Sequence, residues 1–300
     1  GLTLDQVAYH LSWYQDSSKM EGGYSLERSS LLDPCSAADN WRATQAQLGG
    51  TPGTQNSVFD PAADTLAPLI LLAEVRDSNQ VAFVFSEPMD SSSLAQCTIT
   101  FDQNLGSYSR IVLDYLQLQN GAQLLLHFEQ ALSKSEPIEV SIIDIQDCWA
   151  NANNLQTSFI RYEDPQPGEL VLNEILFDPP SNGSDFIELY NTSQKYLSLG
   201  QCSIGNGQAA YAITKPSIAP MEYLALCPDT SFLIAYYPNT QTENTDFQTL
   251  PFFYNDSGTC LLQCNGIVLD QLKYNSTWHS SILTDTEGVS LERLDATAPT

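Results

Sequence analysis

Between residues 69 and 163, short apolar stretches alternate with polar turn signals. The stretches are rich in Val, Ile, Leu and Phe, and signals such as Asp77-Ser-Asn and Asn120-Gly separate them. Many short strands at this spacing are typical of a β-sandwich. The predicted strands are Leu69–Val75, Gln80–Ser86, Cys97–Asp102, Ser109–Leu116, Gln123–Phe128, Ile138–Ile145 and Gln156–Tyr162.

A second β pattern starts at residue 169, and its alternation predicts strands with one face packed inward. Asp229 can cap a short helix over Thr230–Tyr237, which Pro238 then ends. Asn265-Gly266 is a strong signal for the turn of a hairpin. The other predicted elements are the strands Glu169–Pro180, Asp185–Thr192, Leu197–Gly200, Glu222–Leu226 and Gly288–Arg293, and the hairpin Ser257–Asp270.

The first 57 residues contain two predicted strands, Leu2–Tyr9 and Gly23–Arg28, and a turn-rich segment around Gly49–Gly53. This segment has too few apolar residues to close a core of its own. We therefore expect it to be the second half of a domain whose first half precedes residue 1. Val58–Pro68 has two prolines in its eleven residues and no periodicity, so it is interpreted as a linker.

The beginning of the chain is repeated near its end. Gly1–Pro34 aligns without gaps to Gly266–Pro299 at an offset of 265, with twelve identical residues in 34 positions. The repeated features include a Trp, at positions 13 and 278, and a Leu-Glu-Arg strand, at 26–28 and 291–293. A long fixed period predicts a modular array.

Two families resemble parts of the chain. Residues 169–299 resemble the lamin tail domain in the strand around Asn173-Glu174, the strand Asp185–Asn191, and the later strand Gly288–Arg293. Val81–Asp90, with its Phe-Ser-Glu-Pro-Met-Asp sequence, resembles a strand of bacterial Ig-like domains found in surface and secreted proteins. Through the repeat, residues 1–57 also resemble the second half of a lamin tail domain.

These resemblances imply an all-β chain of tandem immunoglobulin-like β-sandwiches. The expected order is the C-terminal part of a first lamin-tail-like domain (1–57), a linker (58–68), a bacterial Ig-like domain (69–163) and a second lamin-tail-like domain (164–300). The sequence Asp164-Pro-Gln-Pro-Gly168 marks the last boundary.

The strongly acidic composition disfavours two classes of binding partner. The chain has 36 acidic and 11 basic residues, a formal net charge of -25, which disfavours nucleic acid and anionic membranes. Clustered carboxylates would suit Ca²⁺, but the acidic residues are scattered and no stretch has the spacing of a calcium loop, so Ca²⁺ is a minor alternative to no cofactor at all. No apolar run is long enough to span a membrane, and no signal peptide is visible.

The seven cysteines suit an exported protein that forms disulfides, although buried reduced thiols are an alternative. Cys97 and Cys148 are candidates for a bridge within the middle domain. Cys260 and Cys264 have the only spacing close to that of zinc ligands, and no histidine lies beside them.

Candidate catalytic groups are sparse, and we predict no catalytic, cofactor-binding or metal site. His10 and His279 lie four residues out of register between the repeats, and His127 falls within a strand. No nucleophile-elbow motif or phosphate loop is present. The best placed polar residues are Asn173, Glu174, Asp178, Asp185 and Glu188, to which the resemblance assigns a structural role. The adjacent Glu27-Arg28 and Glu292-Arg293 are interpreted as ion pairs of the sheet.

The sequence therefore predicts a non-enzymatic protein, exported or at the cell surface of a bacterium, whose modules act in scaffolding, tethering or adhesion. The alternative is a carbohydrate- or protein-binding accessory region of a secreted hydrolase. The fourteen tyrosines and four tryptophans could supply stacking surfaces for the alternative. The partner is unknown, and candidates are other modules of the same protein, the cell envelope or glycans.

Overall fold

The computed structural model describes residues 7, 9–33, 40–60, 62–113 and 123–296. Strands and loops dominate these residues, which confirms the all-β fold class. The chain forms two compact units, Gly1–Leu132 with Pro137–Ile160, and Ser133–Glu136 with Arg161–Thr300. Most of the predicted strand Leu2–Tyr9 lies outside the described residues.

The first segment contains the 3-10 helices Leu11–Tyr14 and Ser17–Lys19, followed by the antiparallel pair β1 (Leu26–Arg28) and β2 (Trp41–Ala43). Glu27, on β1, is buried and organises the loop that follows β2. It accepts hydrogen bonds from the Thr51 hydroxyl and from the backbone and hydroxyl of Ser57, each at 2.7 Å. Burial alone would raise the pKa of Glu27, but these donors lower it to about 2.

This arrangement differs from the predicted Glu27-Arg28 ion pair. Adjacent residues of a strand point to opposite faces, so the carboxylate and the guanidinium diverge. The Arg28 guanidinium instead lies over the Trp41 ring, 5.1 Å from its centroid.

The middle segment is a sandwich of two antiparallel sheets, with strand orders β3-β4-β7-β6 and β5-β8-β9. Alternate side chains of both sheets enclose one apolar core, which includes Phe83, Phe85, Phe128 and Phe159. The elements are β3 (Ile70–Asp77), β4 (Gln80–Phe85), α1 (Ser91–Gln96), β5 (Thr98–Phe101), β6 (Tyr108–Leu113), β7 (Gln123–Phe128), β8 (Ile138–Gln146) and β9 (Ala152–Phe159).

Helix α1 explains why the proposed Cys97–Cys148 bridge is wrong. The Asp90 carboxylate accepts from the backbone of Ser92 and Ser93 and starts the helix directly before Cys97. Cys97 then points into the core as a buried free thiol, and its Sγ contacts the Leu94 carbonyl oxygen at 3.5 Å. Cys148 takes part in a different disulfide.

The second unit is also a sandwich, of a five-stranded sheet and a four-stranded sheet. The orders are β17-β16-β11-β10-β20 and β14-β13-β18-β19, and β12 and β15 form a separate pair. The strands are β10 (Leu170–Leu176), β11 (Phe186–Asn191), β12 (Leu197–Ser198), β13 (Cys202–Gly205), β14 (Ala210–Ala212), β15 (Ser217–Ile218), β16 (Tyr223–Cys227), β17 (Thr245–Phe247), β18 (Ser257–Cys264), β19 (Ile267–Asn275) and β20 (Leu291–Glu292). The helices are α2 (Thr230–Tyr236) and the 3-10 helices Thr242–Asn244 and Ser276–Trp278.

Two local predictions for this unit are confirmed. The Asp229 carboxylate accepts from the backbone N–H of Phe232 at 2.9 Å and caps α2. Asn265 and Gly266 have φ of 51° and 76°, the left-handed conformations that a tight turn between β18 and β19 requires.

Two cross-links join elements of this sandwich. A disulfide connects Cys202 on β13 with Cys264 on β18, which are direct register partners. Arg293, just after β20, forms an ion pair with Asp270 at 2.9 Å, and Asp270 also accepts from the backbone of Leu172 at 2.9 Å. The predicted Glu292-Arg293 pair is therefore wrong for the same reason as its repeat: Glu292 and Arg293 project to opposite faces of the strand.

Candidate functional site

A row of paired residues crosses the five-stranded sheet. In sheet order, Glu292 pairs with Glu174, Glu174 with Glu188, Glu188 with Ala225, and Ala225 with Thr245. Paired residues project from the same face of a sheet. The row therefore places three glutamates next to one another on neighbouring strands.

This row lies on the outer face of the sheet. Ile175, Ile187 and Leu226 face the sandwich core, whereas the residues beside them in sequence face outwards. Helix α2 covers part of the outer face through Leu233, which packs with Phe186 in a smaller apolar cluster.

A cleft of about 340 Å³ lies between this face and the segment after α2. Its sheet side carries Glu174, Glu188, Phe186 and Tyr223. Its other side is formed by Leu233 and Tyr237 and by polar residues of the following segment, namely Asn239, Thr240, Gln241 and Asn244. Thr245, on the edge strand β17, also lines the cleft. We call this site the glutamate cleft.

Neutral donors hold both carboxyl groups of the glutamate cleft. Ser290 donates its hydroxyl to Glu174, and the Asn173 side-chain amide donates to Glu188 at 2.8 Å. Burial raises the pKa of Glu174 to about 7, and the charges of Glu188 and Glu292 add to the shift. Burial and the Glu292 charge also raise the pKa of Glu188.

The aromatic side chains of the glutamate cleft are held by their neighbours. Tyr223 stacks on Tyr190, with centroids 4.2 Å apart. Tyr237 packs edge-on against Phe186 and donates its hydroxyl to the Gly288 carbonyl oxygen at 2.9 Å. The cleft thus combines acidic groups, rigid rings and amide side chains.

A second cleft, of about 260 Å³, lies beside β18. Phe252 and Tyr254 line it and are 67% and 55% exposed. Their rings meet edge-to-face at 5.0 Å. Exposed rings beside polar side chains such as Asn206 and Gln208 provide a surface on which a sugar ring can stack. We call this site the aromatic cleft.

In the first unit, the structure brings together three acids that are scattered in sequence. Ligand oxygens of Asp64, Glu87 and Asp147 lie within 4.8 Å of one another. Burial, with the charges of Asp64 and Asp147, raises the pKa of Glu87 to about 8. Asp147 already accepts three hydrogen bonds at 2.7–2.8 Å, from the backbone N–H of Trp149 and from the backbone and side chain of Asn151. Such a group can share a proton or contribute oxygens to a cation, so Ca²⁺ stays a prediction.

The five polar residues noted in the sequence separate into two places. Glu174 and Glu188 line the glutamate cleft, with Asn173 in a β-bulge beside them. Asp178 accepts from the Asn255 side chain in the loop after β10. Burial raises the pKa of Asp185 to about 6, although the backbone of Phe253 donates to its carboxylate.

His279 and His127 make contacts typical of structural groups. Both ring nitrogens of His279 lie within 3.0 Å of backbone carbonyl oxygens, those of Ser276 and Val289. The His127 ring contacts the Asn79 amide at 3.3 Å.

Sequence reasoning did not identify the two clefts or the three-acid group. The walls of the glutamate cleft come from positions 174 to 245, and only strand register brings them together. The one available signal was the Phe252-Phe253-Tyr254 run, which is unusually aromatic for a loop.

Comparison with known proteins supports the resemblance of the last module. Residues 163–276 match the sequence model of the Lamin Tail Domain family. A search of curated proteins finds no match.

Among solved structures, the chain is similar to the N-terminal part of the bacterial S-layer protein SbsC, with a TM-score of 0.31 and 8% identity over 70% of this chain and 44% of that one. It is also similar to domains 1-6 of SbsC, with a TM-score of 0.28, 8% identity and coverage of 70% and 41%. The YadV chaperone gives a TM-score of 0.24 and 11% identity, over 70% of this chain and all of that one. The chain spans less than half the length of the SbsC structures, and the fold assignment rests on its own sheets. In the part of the chain that the structure describes, no helix is long and apolar enough to cross a membrane.

Proposed function

We propose that this chain is a non-enzymatic part of an exported bacterial protein, in which the β-sandwich modules scaffold, tether or adhere at the cell surface. The observation that carries the proposal is the match of residues 163–276 to the Lamin Tail Domain family, on a fold made of β-sandwiches. That family match points to a structural domain rather than a catalytic one. Fold alone is a weak guide to function, so the remaining support comes from the side chains.

The state of the cysteines supports a structural role. Burial raises the pKa of the free thiols Cys97, Cys227 and Cys260, so these groups are poor nucleophiles. The Cys202–Cys264 disulfide fits an oxidising compartment outside the cytoplasm. The net charge of -25 also favours solubility, because copies of the chain repel one another.

Surface exposure tests the location. Intact cells of the organism that encodes the chain would be treated with a protease and probed with an antibody against residues 161–300. We expect the epitope to disappear while a cytoplasmic control protein stays intact. Retention of the epitope until the cells are lysed would refute a surface location.

Turnover assays test the absence of catalysis. Ester, phosphate and glycoside panels should give no activity above buffer with the whole chain. Saturable turnover that is lost on changing one of the acids or histidines named above would overturn the non-enzymatic assignment.

The aromatic cleft favours a second candidate function, a glycan-binding accessory region. Stacking of a sugar on Phe252 and Tyr254 would bury exposed ring surface. A glycan array with the whole chain tests this function. Saturable binding that Phe252→Ala abolishes, and that Tyr211→Ala at an exposed position outside the cleft leaves unchanged, would replace the pure scaffold function with the accessory function.

A further inference from the structure

The glutamate cleft has a charge arrangement that a purely structural sheet face does not need. Glu174 and Glu188 are directly opposed on adjacent strands, and like charges in this position destabilise a sheet. Among the residues that the structure describes, no Lys, Arg or His lines the cleft. The partners of the two carboxyl groups, Ser290 and Asn173, are neutral and leave the charge uncompensated.

We propose that the glutamate cleft binds a primary alkylammonium group, the chemistry shared by a lysine side chain and a free diamine. An ammonium group carries three N–H donors and one positive charge. The Glu174 and Glu188 carboxylates accept two of these donors. A side-chain oxygen of the segment opposite them, from Asn239 to Asn244, accepts the third. Binding of the cation removes the repulsion between the opposed glutamates.

The aromatic rings of the glutamate cleft provide an apolar surface for the alkyl stem of the ligand. Tyr223 and Phe186 present apolar surface on the sheet side of the cleft, and the faces of tyrosine rings attract cations. The stacking of Tyr223 on Tyr190 fixes the ring before the ligand arrives, which lowers the entropic cost of binding. A volume of about 340 Å³ is at the small end of ligand pockets and suits one side chain or a short diamine.

The raised pKa of Glu174 is consistent with this ligand. Burial and its acidic neighbours bring the pKa to about 7, so part of the population holds a proton at neutral pH. A bound ammonium group would provide the positive charge that the lining of the glutamate cleft lacks. A divalent metal ion takes oxygen ligands and would gain nothing from the aromatic rings of the cleft, whereas the alkyl stem of an ammonium ligand contacts them.

Calorimetry with the whole chain at low ionic strength tests the proposal. The probes are cadaverine (1,5-diaminopentane), N-acetyl-lysine N-methylamide, the neutral isostere 1,5-pentanediol, and CaCl₂. We expect saturable binding of both amines and no binding of the diol. The ratio of the two amine affinities then distinguishes a peptide partner from a free diamine as the source.

Glu188→Gln provides the site-specific variant, and its isosteric side chain removes one repelling charge, so the fold is retained. We expect it to weaken amine binding at least about tenfold, because a hydrogen bond to a charged group is lost. Glu243→Gln is the matched control. Glu243 is exposed on the 3-10 helix beside the cleft without lining it, and its substitution changes the net charge equally.

Three results would overturn the proposal. Equal weakening by Glu188→Gln and Glu243→Gln would show general attraction of amines to an acidic protein. Equal binding of diol and diamine would show that the charge does not contribute. Failure of both amines to bind would refute the proposal, and binding of CaCl₂ that is lost in Glu188→Gln would then assign the cleft to a metal ion instead.

Discussion

Replacing Asp270 with asparagine tests whether one buried ion pair holds the second sandwich together. Asp270 and Arg293 are 8% and 10% exposed, and their charged atoms are 2.9 Å apart. The same Asp270 oxygen accepts from the Leu172 amide. The carboxylate thus links β19, β10 and the residue after β20. The asparagine side chain would keep the shape and one acceptor but would leave the Arg293 charge without its counter-ion.

The expected loss follows from the burial of the pair. At 2.9 Å and an effective dielectric constant of about 20, the attraction is about 6 kcal/mol. Desolvation of both ions offsets much of that gain, but removing only one partner leaves the other charge buried. We therefore expect Asp270→Asn to cost about 3–5 kcal/mol in the free energy of unfolding. Replacing both residues by apolar ones of similar size, as in Asp270→Leu with Arg293→Met, should restore only part of it, because the buried charge is gone but the Leu172 amide lacks its acceptor.

Native-state hydrogen exchange of the whole chain is the suitable assay, because a chain of two compact units does not unfold in one step. The protection of the Leu172 amide reports the opening of the relevant strands directly. Glu74→Gln is the control for an exposed pair and is read from the amides of β3 and β4 in the first unit, since its pair with Arg76 is 44% and 42% exposed and should contribute about 0–1 kcal/mol. A loss for Asp270→Asn no larger than that of the control would refute the inference that the pair is shielded from water.

Three further changes have expected outcomes. Removing the Cys202–Cys264 disulfide with the double variant Cys202→Ser, Cys264→Ser should destabilise the second unit by about 4 kcal/mol, because it opens a loop with a sequence separation of 62, and thermal unfolding of the variant against wild type measures this. The contribution of Glu87 to the stability of the first unit should be fully present below about pH 4.5 and be lost as the pH rises through about 8, since the folded state raises the pKa of Glu87; Glu87→Gln should remove that fall in urea unfolding, and an unchanged slope would contradict the assignment. Gly258→Ala should lower the melting temperature, because a Cβ would collide with the Tyr274 ring on the facing strand, and a melting temperature equal to wild type would show that the ring can move.

The elements that depend on local signals could be predicted from sequence. The Asn265-Gly266 turn and the Asp229 cap need only adjacent residues, and both are confirmed. Helix α1 was missed because Ser91-Ser-Ser-Leu-Ala-Gln96 is too short for a 3.6-residue period to show. That helix also determines the direction of the Cys97 side chain, so one missed element led to the wrong disulfide.

The predictions of ion pairs between adjacent residues were wrong for a different reason. Neighbouring residues such as Glu292 and Arg293 are close in sequence, but a strand sends them to opposite faces. The repeat contained a better signal, since Asp and Arg recur 23 residues apart in both copies, at 5 and 28 and at 270 and 293. Glu174 and Glu188 were noted as acids, but their position in one cleft depends on strand register, which the sequence does not specify. Their opposition across β10 and β11 follows only after the β-bulge at Asn173 is known.

The Cys202–Cys264 disulfide also limits how far the chain can be extended by force. If the chain serves as the proposed tether, it is pulled at its ends, and an unfolded segment lengthens by about 3.5 Å per residue. The covalent bond keeps the segment between its cysteines, a sequence separation of 62, out of the path of the load, which withholds about 220 Å of extension. Under tension, the disulfide would hold β13 and β18 side by side even after the rest of the sandwich has unfolded. The redox state of the surroundings would therefore set the maximum reach of this part of the chain.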